Sequence, residues 1–170
     1  MTAGPKRTRQ QDHDPRLEAA TKRLRESADQ ADAIEAIREI VTNLLGCEEI
    51  ALFKVGHRGD KDSCDLLWSF GIDSERHGTL EAFEESALHR VLQGELHVAQ
   101  VAHKGHSHYG QKSLRALIPI RLKERTVAIL VMLKLLPQKV EFDEADINLV
   151  KLLSAEAGRS LFEGSANTNA

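Results

Sequence analysis

The sequence predicts an α+β protein: an antiparallel central sheet of five to six strands with helices packed on it, the N- and C-terminal helices on one face. Three observations lead there. Hydrophobic periodicity switches along the chain between the helical and the strand repeat, so helices and strands are interleaved. The connections within each strand pair, HRGDKDS and KER, are short, and short connections require antiparallel pairing. Finally, 170 residues of which 41% are hydrophobic and 29% charged suffice for one substantial core.

The elements follow in order. Residues 1–13 are polar and predict a disordered tail whose basic cluster, Lys6, Arg7 and Arg9, has the charge to touch an acidic partner. Asp14-Pro15 is a helix start: Asp caps, and Pro occupies the first helical position, where a missing N–H costs nothing. Residues 14–29 form a helical extension with a thin apolar stripe, Leu17, Ala20 and Leu24, and a thin stripe predicts contact with a partner or second subunit rather than deep burial. The domain proper is expected over 30–163, with 164–170 a second tail. Its first helix carries Ile34, Ile37, Val41 and Leu44 at helical spacing, widened by Ile40 and Leu45, and ends at Gly46.

EEIALFKVG (48–56) then reads as a strand, with Ile50, Leu52 and Lys54 on one face and Ala51, Phe53 and Val55 on the other. CDLLWSFG (64–71) is its hairpin partner. TLEAFEESALHRVLQG predicts a helix with Leu80, Phe83, Ala87 and Val91 on one side, closed by Gly94. ELHVAQV is a short strand and SLRALIPIRL a longer one. KER is a tight turn, and TVAILVMLKLL is the most buried strand, since its near-continuous apolar run needs both faces covered. Asp143 caps the last helix, whose stripe is Ile147, Val150, Leu153, Ala157 and Leu161.

Charge excludes some functions. With 23 basic and 26 acidic residues the formal net charge is −3, which does not favour nucleic acid or an anionic membrane as partner. No apolar run approaches the roughly 20 residues of a spanning helix. No apolar segment follows the basic N-terminal residues, so no secretory signal is expected. Two cysteines, Cys47 and Cys64, are too few for a disulfide scaffold and too far apart for a C-x-x-C unit, so reduced thiols and a cytoplasmic location are the expectation.

The second half carries a resemblance. Leu117, Ile118, Pro119 and Ile120 form an apolar strand with a proline, a tight turn follows, and Val127 to Leu133 form a strand of small and branched residues. Phe142 stands four residues before Asp146 at the opening of the final helix. This pattern resembles the C-terminal half of a GAF domain, and LLGCEEIALFKV with its hairpin agrees in the first half, so the likeness spans roughly residues 30–163. The turn departs from the family: Lys123-Glu124-Arg125 replaces Asp-Gly or Gly-Glu, and a longer or type I turn is expected to accommodate it.

The resemblance implies a small-ligand sensor, a dimerisation module or, rarely, an enzyme, and each needs its own site. The enzymatic branch, resembling free methionine sulfoxide reductase, needs a nucleophilic and a resolving cysteine in loops over the pocket. No cysteine lies between His97 and Ser113, and Cys47 and Cys64 read as small apolar residues. For cyclic nucleotides the chain has Phe142 and Asp146, but Ile147 follows and no Asn-Lys pair precedes them; the pair reads as helix support. A covalent bilin wants a cysteine with a histidine neighbour, and neither cysteine has one.

HVAQVAHKGHSHYG holds His97, His103, His106 and His108, four of the eight histidines. Three interpretations stay open. His103, His106 and His108 are close enough to share a metal ion, with His97 joining, but Lys104 opposes a dication and the spacing matches no rigid ligand motif. A plain polar loop is the second. A ligand lid is the third: neutral histidines and Tyr109 hydrogen-bond polar molecules and change charge near pH ~6.5, with Arg115 supplying a fixed cation. Trp68 and Phe70 share one strand face and either line a ligand cavity or belong to the core.

The sequence-based conclusion is a cytoplasmic regulatory protein of GAF type that senses a small ligand, binds a partner protein, or both. It is expected to act in trans, since 170 residues leave no room for an output domain, and to homodimerise through its N- and C-terminal helices. A ligand-free interaction module is the alternative, and a redox enzyme the third possibility. Neither nucleic acid nor membrane is expected as a partner, and no cofactor is assigned. The ligand-binding candidates are Trp68, Phe70, His97, His103, His106, His108, Tyr109 and Arg115.

Overall fold

Asp14 starts the first helix as its sequence requires. The computed structural model describes residues 14–58, 61–72, 85–98, 114–139 and 141–163. In α1 (Pro15–Arg25) the Asp14 carboxylate accepts from the Arg16 amide at 2.9 Å, and Pro15 takes the first helical position. The next helix, α2 (Gln30–Glu39), is capped likewise, with Asp29 accepting from the Asp32 amide at 2.8 Å. Its last turn widens into a π-helical turn, Ile40–Leu44, closed by Leu45 donating to the Ile40 carbonyl. Arg23 ties the two helices together through Glu39 at 3.0 Å and Asp32 at 2.9 Å.

The strands are β1 (Cys47–Arg58), β2 (Lys61–Phe70), β3 (His97–Val98), β4 (Ala116–Leu122) and β5 (Arg125–Leu135). They form one sheet of order β2-β1-β5-β4-β3, antiparallel at every pairing. The helix α3 (Glu85–Leu92) precedes β3, and α4 (Glu144–Phe162) ends the described chain. The expected α+β architecture is observed, with five strands among the described residues.

Strand alternation sorts side chains into two cores. Ile50 and Leu52 of β1 face α1, α2 and α4 together with Ile118, Ile120, Leu130 and Met132. Ala51, Phe53 and Val55 face α3 with Leu117, Ile129 and Val131. Lys54 follows the first set, and its ammonium lies 6.0 Å from the Phe162 ring centre. β5 is the central strand with layers on both sides, which explains its continuous apolar run.

Two expectations about the helices need correction. The thin stripe of α1 is not left for a partner: Ala20 and Leu24 are buried inside this chain, and Ser160 of α4 donates to the Leu24 carbonyl at 2.9 Å. A thin stripe is enough here because α1 lies in the groove beside α4 and needs only one line of contact. In α4, Leu149 is buried with Val150, Leu153, Ala157 and Leu161, while Ile147 is only half-buried.

The start of α4 shows what Phe142 and Asp146 do. Asp143 accepts from the Asp146 amide at 2.8 Å and Asp146 accepts from the Asp143 amide at 3.0 Å, a complete capping box. The buried Asp146 carboxylate also meets Lys139 at 2.8 Å and Arg16 of α1 at 3.3 Å. Phe142 packs against the helical core with the Lys139 ammonium 5.9 Å from its ring centre. Both residues therefore hold helices in place, as the sequence suggests.

Further along, α4 sits directly on the backbone of β4. Ser154 donates to the Pro119 carbonyl at 2.5 Å. Gly158 faces the Arg121 carbonyl so closely that an added Cβ would stand 2.5 Å from the oxygen and 3.1 Å from the carbon. Glycine is required there for close approach.

Candidate functional site

Antiparallel pairing brings two turns to one end of the sheet. The β1–β2 hairpin turns after Arg58, β5 begins at Arg125, and β1 runs antiparallel to β5, so both turns lie at the same end. The C-terminal end of α3 arrives there too, because Thr126 donates to the Val91 carbonyl at 3.4 Å. Between these three elements lies a cleft of about 560 Å³, lined by Val55, His57, Asp62, Leu92, Gln93, Arg121, Glu124, Arg125 and Thr126. That volume is in the range of small-molecule sites, roughly 300–1,000 Å³.

Arg121 organises the cleft. Its guanidinium donates to the Gln93 carbonyl at 3.2 Å, to the Thr126 hydroxyl at 3.3 Å and to the Glu124 carbonyl at 2.6 Å. It thereby satisfies the end of α3 and the β4–β5 turn together. Gly94 has φ +99, and a Cβ there would collide with this guanidinium, so glycine serves both the left-handed backbone and the arginine.

The turn differs from the sequence-based expectation. It is neither longer nor type I: Lys123 and Glu124 form a two-residue connection with φ of 49 and 65, the left-handed pair of a type I′ hairpin turn. Such a turn matches strand twist but is unfavourable for residues other than Gly and Asn, by about 1 kcal/mol or more each. Arg121 holds Glu124, and Lys123 pairs with Glu163 at the end of α4 at 3.1 Å. On the opposite wall His57 Nδ1 and Asp62 lie 2.5 Å apart across the hairpin.

The candidates drawn from sequence do not gather at this cleft. Trp68 lies opposite Leu52 and Phe70 opposite Ile50, which puts both on the face of α1, α2 and α4. Trp68 packs against the helical core and stacks on Phe70 with ring centres 6.3 Å apart, while Arg38 of α2 lies 5.7 Å from the Phe70 ring centre. A β-bulge decides this: the register slips between Leu52 and Phe53, so Leu67 adds a residue to β2. His97 lies opposite Leu117 and so shares the α3 face. Arg115 is half-buried just before β4, its amide donating to the Met132 carbonyl at 2.8 Å. Neither His97 nor Arg115 lines the cleft. His103, His106, His108 and Tyr109 lie outside the described residues, as do Leu80 and Phe83. Among the described residues, no group of three or more His, Cys, Asp or Glu is arranged to hold a metal.

Both thiols favour the protonated state. Burial pushes Cys47 up to about 11, and its Sγ donates to the Glu49 carbonyl at 3.3 Å. Cys64 is raised by burial and then by the charges of Asp62 and Asp65. Cys47 packs in the helical core and Cys64 against the α3 core, on opposite faces of the sheet.

The family model of the GAF domain matches residues 29–161. The chain belongs to the GAF domain family. Several solved structures share the fold. The GAF domain of an Acinetobacter phosphoenolpyruvate-protein phosphotransferase superposes with a TM-score of 0.66 at 17% identity, covering 91% of this chain and 95% of that one. The corresponding domain from Coxiella burnetii gives 0.63 at 16%, covering 92% and 96%. Free methionine-R-sulfoxide reductase of Neisseria meningitidis, in complex with its substrate, gives 0.63 at 17%, covering 91% and 93%. At these identities the likeness concerns the fold, which GAF domains of phosphotransferases and a sulfoxide reductase share. No curated protein matches the chain in sequence. No helix among the described residues is long and apolar enough to cross a membrane.

Sequence reasoning missed the cleft of this GAF domain because its parts look ordinary one at a time. His57 and Asp62 fall in or beside a turn, Arg121 is an alternating strand residue, and Arg125 was assigned to the turn rather than to β5. One signal was available: in an antiparallel sheet that pairs the first strand with the last, their hairpin turns share an end.

Proposed function

We propose that this GAF domain is a regulatory sensor that binds a small molecule in the cleft between the β1–β2 hairpin, the end of α3 and the β4–β5 turn. The observation that carries it is Arg121. Its side chain lines the cleft, while its carbonyl is the surface on which Gly158 of α4 rests. A ligand that draws the guanidinium from the Glu124 carbonyl loosens a turn of two left-handed residues. That turn is in turn joined to the end of α4 through Lys123 and Glu163. Occupancy of one face is thus read by the helical layer on the other.

The raised thiols and their placement on opposite faces support a non-enzymatic domain, since sulfoxide reduction needs a reactive thiolate and a resolving thiol within reach. Output through a homodimer of the α1 and α4 layer belongs to the same proposal, and a monomer by light scattering at micromolar concentration refutes that part. The central test is hydrogen exchange of the full chain with a library of small metabolites at millimolar concentration. A sensor shows a compound that protects the amides of Gly94 and Thr126 and alters exchange at the C-terminal turn of α4. Protection that never extends to α4 refutes the relay, and no protection by any compound refutes the ligand site.

A further inference from the structure

The cleft has a charge pattern that selects among ligands. Two guanidinium groups line it, Arg121 and Arg125. Arg121 makes its hydrogen bonds to two carbonyls and a hydroxyl, neutral acceptors that leave its positive charge without a carboxylate partner among the described residues. The Arg125 side chain is exposed and makes no ion pair or hydrogen bond among the described residues. Two carboxylates share the lining, Asp62, which lies 2.5 Å from His57 Nδ1, and Glu124, and neither forms an ion pair with the two guanidiniums among the described residues. Val55 and Leu92 are the apolar residues of the lining.

We infer that this cleft is an oxyanion site for a compact carboxylate or phosphate ligand, with Arg125 as the primary contact and Arg121 as the second. The inference rests on the proposed role of the cleft and adds the class of ligand. A guanidinium presents parallel N–H donors whose spacing fits two oxygens of one carboxylate or phosphate group. Arg125 is free to offer that fork. Arg121 can join it by exchanging its bond to the Glu124 carbonyl for one to the anion.

Of the positions the sequence pointed to, the described ones, Trp68, Phe70, His97 and Arg115, do not line this cleft. Ile72, Val98 and Leu114, the described residues that flank 73–84 and 99–113, lie toward the other end of the sheet. There Phe70 pairs with Ile50, and Val98 pairs with Ala116.

The test uses the full chain at low ionic strength, followed by amide chemical shifts, with inorganic phosphate and malonate as separate probes. Sodium chloride at equal ionic strength and glycerol are controls. The expected result is saturable shifts at Gly94, Thr126 and Arg125 with at least one anion and not with the controls. Arg125→Gln, at an exposed position whose side chain makes no ion pair or hydrogen bond among the described residues, is expected to weaken binding by about tenfold or more, the scale of one charge-assisted contact. Its unchanged spectrum elsewhere serves as the folding control. A preference for phosphate or for malonate identifies which oxyanion geometry the site takes. Equal binding by Arg125→Gln and the parent overturns the inference, as does a response that sodium chloride reproduces. If neither anion binds but an uncharged or cationic library compound shifts the same amides, the ligand class is wrong and the cleft reading stands. If nothing shifts them, both fail.

Discussion

Replacing Gly158 by alanine tests the seat on which α4 rests. On a solvent-facing helix surface, Gly→Ala stabilises by about 1 kcal/mol, because alanine restricts the unfolded chain. Here the new methyl carbon would stand 2.5 Å from the Arg121 oxygen and 3.1 Å from its carbon, with Leu122 Cβ at 3.3 Å, whereas ordinary contact begins at 3.4 Å. Helix and strand must part by about 0.9 Å to relieve the oxygen contact, and neither the carbonyl nor the helix backbone can rotate aside. Overpacking against a rigid neighbour costs about 1–3 kcal/mol, and separating α4 from β4 also loosens Ser154 and the buried Leu153 and Ala157. The cost exceeds the propensity gain, so Gly158→Ala is expected to lower stability by about 1–2 kcal/mol, or roughly 3–8 °C in Tm for a chain of this size. Urea denaturation followed by far-UV circular dichroism measures it, with the exposed Lys151→Ala as a propensity control. A Gly158→Ala protein as stable as its parent, or more stable, would show that α4 does not press on the Arg121 carbonyl and would remove the physical link between cleft and helix.

Other substitutions probe the rest of the framework. Leu24→Ala, which empties a fully buried position between α1 and α4, should cost about 2–4 kcal/mol in the same denaturation assay; a change under 0.5 kcal/mol would mean that α1 is not part of the core. Asp146→Asn removes the charge that meets Lys139 and Arg16, both of which can still reach water, so a loss of about 1–3 kcal/mol is expected rather than the larger cost of a sealed pair. A neutral result would place the capping box alone in charge of the helix start. Cys47 is raised from 9.0 to about 11, so its contribution is complete below pH 9 and is lost between pH 9 and 11, as the unfolded thiol ionises first. The loss is on the order of 2–3 kcal/mol and should vanish in Cys47→Ala; equal pH profiles for the two proteins over that window would refute it.

Much of the fold was legible because it is written locally. The alternation Ile50, Leu52, Lys54 against Ala51, Phe53, Val55 appears in the structure residue for residue, and Asp14, Asp143 and Gly46 mark the boundaries they suggest. What was not legible depends on partners distant in sequence. Leu17, Ala20 and Leu24 form the same thin stripe whether they meet a second subunit or α4 of their own chain, and nothing within α1 distinguishes the two. The face of Trp68 and Phe70 is set by the slip between Leu52 and Phe53, which alternation along β2 alone does not reveal. The turn Lys123-Glu124 lacks the glycine or asparagine that announces a primed turn, because Arg121 and Glu163 supply from outside what the turn residues do not.

The position of Arg121 gives the cleft its significance. A sheet with a helix layer on each face ordinarily insulates one side from the other, since each strand shows alternate side chains to alternate faces and its carbonyls lie in the sheet plane. β4 departs from that insulation near its end. The ladder slips between Ile120 and Arg121, and the carbonyls of Pro119 and Arg121 are close enough to α4 to contact Ser154 and Gly158. The same residue therefore touches one layer through its side chain and the other through its backbone. On the proposed reading, a change in what the guanidinium binds would alter the backbone on which α4 rests, without a long chain of intermediaries. A coupling of this kind is reciprocal. A substitution that lifts α4 from β4, Gly158→Ala, should thus alter anion affinity at a cleft it does not line, and an affinity equal to the parent's would separate the two faces.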